Sequence, residues 1–186
     1  MINNLFRTAC LAGAAVTLMA TSPAVAQKFN FGTTPTAEEI AAIDIDAMPD
    51  GRGLPPGSGS AVQGEKIYAE KCAACHGDKL QGVAITGGAA LIGGRGSIGT
   101  PKTKKTVESY WPYASTLFDY VKRAMPFNEP GSMSNDDIYA VSAYVLSMGK
   151  IIDKKDVMNA KTLPKVEMPN KDGFIADPRP DVFNYR

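Results

Sequence analysis

The sequence predicts an all-α domain with extended N- and C-terminal segments, and three observations indicate this fold class. Apolar residues recur at spacings of three and four within residues 117–125 and 138–148, as they do along one face of a helix. Ser60 and Gln63 form a capping box that begins a further helix. Residues 77–113 hold eight glycines, too many for a helix or a strand. The predicted core therefore contains three helices and one long loop.

Each of these helices has recognisable features. In the first, Gly64 and Tyr68 lie four residues apart on one face, where a glycine permits a close helix crossing. The second ends at Pro126, because proline lacks the N–H that a helix interior needs. The third begins with Ser134 as its N-cap and ends at Gly149.

The first 26 residues have the three parts of a secretory signal peptide. Arg7 and the amino terminus provide positive charge, and residues 9–20 are mostly apolar but too few to span a bilayer. Residues 24–26, Ala-Val-Ala, match the pattern of a cleavage site. The mature chain is therefore expected to begin at Gln27 and to work in the periplasm, with an uncleaved anchor as the alternative.

Charge and length limit the kinds of partner. Cleavage after residue 26 leaves 160 of the 186 residues, with 19 basic and 19 acidic side chains. A neutral chain is not expected to bind nucleic acid or an anionic membrane, because both attract a basic excess. No later segment has about 18 continuous apolar residues, so no membrane span is expected in the mature chain.

Three regions are predicted after the signal peptide. Residues 27–59 form an N-terminal extension, in which Thr36 and Glu39 cap a short helix before a turn-rich linker. Residues 60–149 form the domain. Residues 150–186 form an extended tail, and a disordered end is the alternative. The tail is expected to cover the domain or a partner because some of its large apolar side chains would otherwise face water: Phe174, Ile175, Phe183 and Tyr185.

The single histidine lies beside two cysteines, in the order Cys72, Cys75, His76. Zinc needs about four ligands, and the mature chain has no further Cys or His. A disulfide that happens to precede a histidine remains an alternative. The pattern C-x-x-C-H is the attachment signature of c-type haem, in which two thiols bind one porphyrin edge and the imidazole binds the iron. We expect one covalent haem c, with the other ring nitrogen of His76 donating to a backbone carbonyl.

A methionine is the expected ligand on the other face of the iron. Met125 lies where the second helix breaks into a loop, so its side chain can leave the helix, and Met133 in the same loop is the alternative. Met148 lies on the apolar face of the last helix and is expected in the core. Histidine with methionine raises the iron potential and closes both axial positions, so no catalytic residue is predicted. If neither methionine binds, the protein is instead a haem enzyme or a gas sensor with an open iron site.

The long loop is expected to cover one face of the porphyrin, with Leu91 and Ile92 packed on the ring; a mobile surface loop is the alternative. The haem propionates need hydrogen-bond donors when they are buried. The candidate donors are Arg95, Tyr110, Trp111 and Tyr113. Residues 101–105, PKTKK, form a basic tip that is either solvated or meets an acidic partner.

With these motifs in place, residues 60–149 resemble a class I cytochrome c, so this region is the predicted monohaem cytochrome c domain. The segments DIDAMPDGRGLPPGSGS, ESYWPYASTLFDYVKRAMPFNEPGSMSNDDIYAVSAYVL and LPKVEMPNKDGFIADPRP resemble more narrowly the cytochrome subunit of sulfane dehydrogenase, the SoxD type, and of periplasmic sulfite dehydrogenases. This resemblance extends over almost the whole mature chain. It implies Cys72, Cys75, His76 and Met125 as the haem set.

The resemblance also implies a function. In that family a molybdenum-cofactor subunit oxidises a sulfur compound, and the cytochrome takes the electrons one at a time and passes them to a downstream cytochrome c or an oxidase. A generic electron carrier for an unrelated dehydrogenase is the alternative. Two features depart from the family pattern: the chain has one C-x-x-C-H where sulfane dehydrogenase cytochromes have two haem domains, and Ala89 stands where many class I cytochromes have a proline.

Overall fold

The computed structural model of the chain describes residues 31–175, 177 and 178. The predicted signal peptide lies outside these residues, as do Phe183 and Tyr185 of the tail. The chain divides into two units, with the boundary between Ile40 and Ala41.

The described part is mostly helical, which confirms the predicted fold class. Its helices are α1 (Ala37–Ile43), α2 (Ala61–Lys71), α3 (Ala73–His76), α4 (Ala114–Ala124) and α5 (Asn135–Met148), with 3₁₀ turns at Ala84–Thr86 and Leu163–Lys165. Two short strands, β1 (Ser58–Ser60) and β2 (Val157–Asn159), form an antiparallel pair that the sequence did not predict. None of the helices within the described ranges has the length and apolar content to cross a membrane.

The predicted caps form at the starts of the helices. Ser60 and Gln63 exchange side-chain-to-backbone hydrogen bonds at the start of α2, and Thr36 and Glu39 do the same at α1. The hydroxyl of Ser134 accepts from the backbone of the first turn of α5. These bonds satisfy N–H groups that the helices themselves leave unpaired.

The core lies where α5 packs against α2 and α4. The ring centroids of Phe118 in α4 and Tyr139 in α5 are 4.4 Å apart. The ring centroids of Tyr68 in α2 and Tyr144 in α5 are 5.1 Å apart. Gly64 of α2 lies directly against the backbone of α5, which confirms the predicted close crossing. The largest fully buried side chains are Tyr68, Tyr139, Phe118, Leu80, Ile138, Leu146 and Leu163.

The N-terminal strap (residues 44–58) crosses α4 and α5. Its turns match the turn-rich linker that the sequence predicts, but the segment is packed rather than free. The backbone N–H of Ala47 donates to the Asp119 carboxylate of α4 at 2.9 Å, and the Tyr139 hydroxyl of α5 donates to the Pro55 carbonyl at 2.9 Å. The strap therefore belongs to the folded unit that contains the helices.

The tail packs on its own domain largely through residues other than the expected ones, although the Phe174 ring contacts Tyr110. Strand β2 pairs with β1, with Met158 opposite Gly59. Met158, Leu163 and Met168 are all at most 4% exposed. Of the two expected apolar residues within the described part, Phe174 is 48% exposed and Ile175 is 94% exposed.

Candidate functional site

A cavity of about 600 Å³ lies among α2, α3, the glycine-rich loop, α4, α5 and the loop between the last two helices. This volume is within the range of about 300–1,000 Å³ that is typical of small-molecule and cofactor sites. Most of its walls are apolar. Seven of the residues considered as haem ligands, attachment points or ring contacts line it: Cys72, Cys75, His76, Leu91, Trp111, Met125 and Met133.

Two thiols and the imidazole project from one short stretch of helix. Cys72 is the residue between α2 and α3, and its carbonyl accepts from the backbone N–H of both Cys75 and His76. Both cysteines are free thiols, so no disulfide joins them. Burial raises the pKa of the Cys72 thiol to about 11. Within the described residues, no group of three or more His, Cys, Asp or Glu side chains is placed to hold a metal ion.

The His76 ring is oriented by a hydrogen bond. Its Nδ1 lies 2.7 Å from the carbonyl oxygen of Ala89, and since a carbonyl can only accept, Nδ1 carries the proton. The Nε2 atom then has a free lone pair for a metal. This confirms the expected bond to a backbone carbonyl. The carbonyl belongs to Ala89, the alanine that stands in place of the frequent proline.

The glycine-rich loop folds back onto α3 and is held there. The backbone N–H of Gly82 donates to the His76 carbonyl at 2.7 Å. Gly88 approaches the Cys75 carbonyl so closely that a Cβ at this position would overlap it. The Leu91 N–H donates to the Leu80 carbonyl at 2.9 Å, which places Leu91 at the cavity. These bonds favour the predicted haem-covering loop over a mobile surface loop.

Both candidate methionines reach the cavity. Met125 follows the last residue of α4 with extended backbone angles (φ −125°, ψ 146°), so the chain leaves the helix there as the sequence predicts. Met133 is 8% exposed and lies two residues before α5. Met148 packs against the core instead and does not line the cavity. The choice between Met125 and Met133 stays a prediction.

The predicted aromatic donors are divided between the cavity and the surface around it. Trp111 lines the cavity and meets Tyr120 edge-on, with ring centroids 5.8 Å apart. Tyr110 does not line the cavity; its ring contacts Phe174 and the Lys105 ammonium, which lies 4.8 Å from the ring centroid. Tyr113 precedes α4, is 42% exposed and is also absent from the lining.

Arg95 lies away from the cavity. Its Nε is 2.8 Å from the Glu108 carboxylate, and its Nη2 donates to the Gly149 carbonyl at 2.5 Å. The guanidinium therefore joins the glycine-rich loop to the end of α5. Ile92 packs against the core beside Leu91 but does not line the cavity.

Several polar lining residues were not singled out from the sequence, and two of them lie near the predicted donors. Lys105 and Thr106 both line the cavity, and the Thr106 hydroxyl donates to the Gly93 carbonyl at 2.7 Å. Lys105 belongs to the predicted basic tip. Nothing in the local sequence distinguishes Lys105 from the other lysines of that tip, Lys102 and Lys104.

These residues fit a covalently attached haem c. The cavity has two thiols and an imidazole with a free nitrogen on one wall, and methionine thioethers on another. Its largely apolar lining suits a porphyrin ring, and Lys105 and Trp111 are donors that can meet propionates.

Known proteins resemble this chain. The Cytochrome c family model matches residues 61–149. A solved structure, the sulfane dehydrogenase SoxCD from Paracoccus pantotrophus, is similar with a TM-score of 0.73 and 40% sequence identity, over 85% of this chain and 76% of that chain.

Two curated relatives match over shorter regions. The thiosulfate dehydrogenase of Stutzerimonas stutzeri (strain A1501) is 30% identical over 115 residues, 61% of this chain and 34% of the relative. The cbb3-type cytochrome c oxidase subunit CcoP of Azospirillum sp. (strain B510) is 33% identical over 95 residues, 50% of this chain and 30% of the relative. The chain thus spans about a third of the length of these two relatives. From the family match, the likeness to SoxCD and the site geometry together, the chain belongs to the cytochrome c family.

Proposed function

We propose that the protein is a periplasmic monohaem cytochrome c that takes single electrons from a molybdenum-dependent dehydrogenase of sulfite or a sulfane. It then passes them to a downstream cytochrome c or an oxidase. Membership of the cytochrome c family implies haem c and electron transfer. The likeness to a sulfane dehydrogenase and to a thiosulfate dehydrogenase supports a sulfur-oxidising partner. The single C-x-x-C-H supports one haem, and the signal pattern in residues 1–26 supports export.

The observation that carries this proposal is the His76–Ala89 hydrogen bond at a cavity that also holds two thiols and two thioethers. Haem c supplies an iron that changes its oxidation state by one electron. The Cys72 and Cys75 thiols attach the porphyrin, and His76 presents Nε2 to the metal. The Ala89 carbonyl fixes the tautomer and the orientation of that ring.

The other walls keep the iron site closed. Met125, the predicted ligand, would hold the iron on the side away from His76, and a methionine there would leave no open iron position for a substrate. Apolar side chains such as Leu91 and Val141 exclude water from the cavity. Exclusion of water favours the iron state with the lower charge, which helps the site to accept an electron.

Mass spectrometry and rapid mixing test the proposal. We expect the exported polypeptide to carry the mass of one haem. In anaerobic stopped-flow, a molybdenum-dependent sulfite or sulfane dehydrogenase and its substrate should reduce the ferric protein at a rate that rises with dehydrogenase concentration. The dehydrogenase without substrate is the control.

Two results would count against parts of the proposal. A polypeptide without haem would remove the electron-transfer role. Equal reduction by dehydrogenases that do not act on sulfur compounds, with no preference for the molybdenum enzyme, would favour the generic carrier.

A further inference from the structure

The N-terminal strap (residues 44–58) joins the two helices on either side of the methionine loop (residues 125–134). Helix α4 ends at Ala124 and α5 begins at Asn135, so the loop that carries Met125 and Met133 connects these two helices. Residues 127–132 in its middle are exposed. The shape of this loop therefore depends strongly on where the two helices place its ends.

On the α4 side, the strap is attached through Asp119. This residue is 9% exposed, and its Oδ1 accepts the Ala47 N–H at 2.9 Å. Arg123, one turn further along α4, pairs with both carboxylate oxygens, with Nε 3.1 Å from each. The same guanidinium reaches Asp46 of the strap, with Nη1 3.5 Å from Oδ1. Charge-assisted bonds to a buried carboxylate are strong, so the last turns of α4 are fixed to the strap.

On the α5 side, the strap is attached at the first turns of the helix. The Ser58 N–H donates to the Asp136 carboxylate at 2.7 Å, and the Tyr139 hydroxyl donates to the Pro55 carbonyl at 2.9 Å. The Asn135 amide donates to the Pro56 carbonyl at 3.3 Å. Both ends of the methionine loop are thus held by one segment of chain.

We propose that the strap keeps the methionine thioether on the iron, with Asp119 as the positioning residue. This inference rests on the proposed haem function. Asp119 lies six residues before Met125 on α4, and it acts on the iron only through the position of that helix end. Loss of the attachment lets the end of α4 and the methionine loop move, so the thioether leaves the metal more often and an external ligand can bind.

The test uses the full-length holoprotein with the variants Asp119→Ala and Asp119→Asn. Two readouts report the methionine ligand: the methionine-to-iron charge-transfer band of the ferric protein, and the rate at which cyanide binds. We expect Asp119→Ala to weaken the band and to accelerate cyanide binding at least about tenfold. Asp119→Asn keeps an acceptor for the Ala47 N–H and should show a smaller acceleration.

Two control variants separate positioning from general stability. Asp50 pairs with Arg52 in the same strap, with 2.7 Å between Oδ2 and Nε, and both side chains are exposed, so Asp50→Asn should match the unchanged protein. Leu146 is fully buried in α5 but does not line the cavity. Leu146→Ala should lower the unfolding free energy without a matching acceleration of cyanide binding.

The outcomes distinguish this inference from the proposed function. Unchanged band and cyanide rate in both Asp119 variants would overturn the strap's role and leave the haem function intact. An equal acceleration in Leu146→Ala at equal loss of stability would also overturn it. Absence of haem from the unsubstituted protein would overturn the proposed function, and the inference with it. If Asp119→Ala does not fold, the cyanide-binding rate of Asp119→Asn is compared with that of Asp50→Asn, and the Asp119 variant should be the faster of the two.

Discussion

Gly64 of α2 lies against the backbone carbonyl of Ala140 in α5, and a Cβ at position 64 would overlap that carbonyl oxygen. The Cβ of Tyr144 would be 2.9 Å away from the same added atom. Neither neighbour is a flexible side-chain end, so the two helices would have to separate to admit even one methyl group. The α2–α5 crossing is therefore as close as two backbones allow.

We expect Gly64→Ala to lower the free energy of unfolding by about 1–3 kcal/mol, because overpacking at this crossing outweighs the better helix propensity of alanine. Guanidinium unfolding of the holoprotein measures the change. Val62→Ala on the same helix, where the side chain is 58% exposed, is the control and should stay within about 0.5 kcal/mol. An unchanged or raised stability in Gly64→Ala would contradict the close contact.

Met125→Ala should lower the midpoint potential, because loss of the thioether removes the ligand that raises it. We expect a fall on the order of 100 mV, a fraction of the roughly 0.8 V range that axial ligands span. The iron should also become reactive toward carbon monoxide. Potentiometry and carbon monoxide binding measure these effects, with Met133→Ala as the matched control. If Met133→Ala produces them and Met125→Ala does not, Met133 is the ligand.

Ser142→Ala should raise the free energy of unfolding by about 1 kcal/mol. The Ser142 side chain is fully buried in α5, and within the described residues its hydroxyl is the buried side-chain group without a hydrogen-bond partner. Folding of the substituted protein no longer includes the free-energy cost of burying a hydroxyl without a hydrogen-bond partner. Ser147→Ala is the control, because the Ser147 hydroxyl donates to the Tyr144 carbonyl at 3.1 Å, and it should show no gain. A loss of stability in Ser142→Ala would mean that its hydroxyl is paired in solution.

Lys150→Gly should stabilise the end of α5 by about 1 kcal/mol, because Lys150 has φ +54° and glycine adopts this left-handed conformation without strain. Gly149, which the sequence predicts as the helix stop, has an ordinary φ of −75°. Thermal unfolding measures the change. Lys154→Gly, at a nearby exposed residue with ordinary φ, should give no gain. Equal effects of the two substitutions would show that the left-handed conformation carries no strain.

The helices and the C-x-x-C-H motif could be predicted from local sequence patterns. The caps at Ser60 and Ser134 and the break at Pro126 depend on residues a few positions apart, so they could be read from the sequence. The hydrogen bond of His76 followed from its chemistry, although the sequence did not identify Ala89 as its partner.

The strap and the tail could not be predicted in the same way. Strand β1 has the sequence Ser-Gly-Ser, which carries no strand signal, and it forms because β2 supplies the pairing. The bond between Ala47 and Asp119 joins residues 72 positions apart and involves a backbone N–H, which any residue has. Arg95 was considered for propionates because of its charge, whereas its partners Glu108 and Gly149 are brought to it only by the fold.

The pairing of Ser58 with Asn159 brings together the points at which the chain enters and leaves the helical region. The strap precedes this strand pair, and the buried residues Leu163 and Met168 follow it. The pair therefore fixes both segments at one place on the helices, and its opening would release the strap and the tail together.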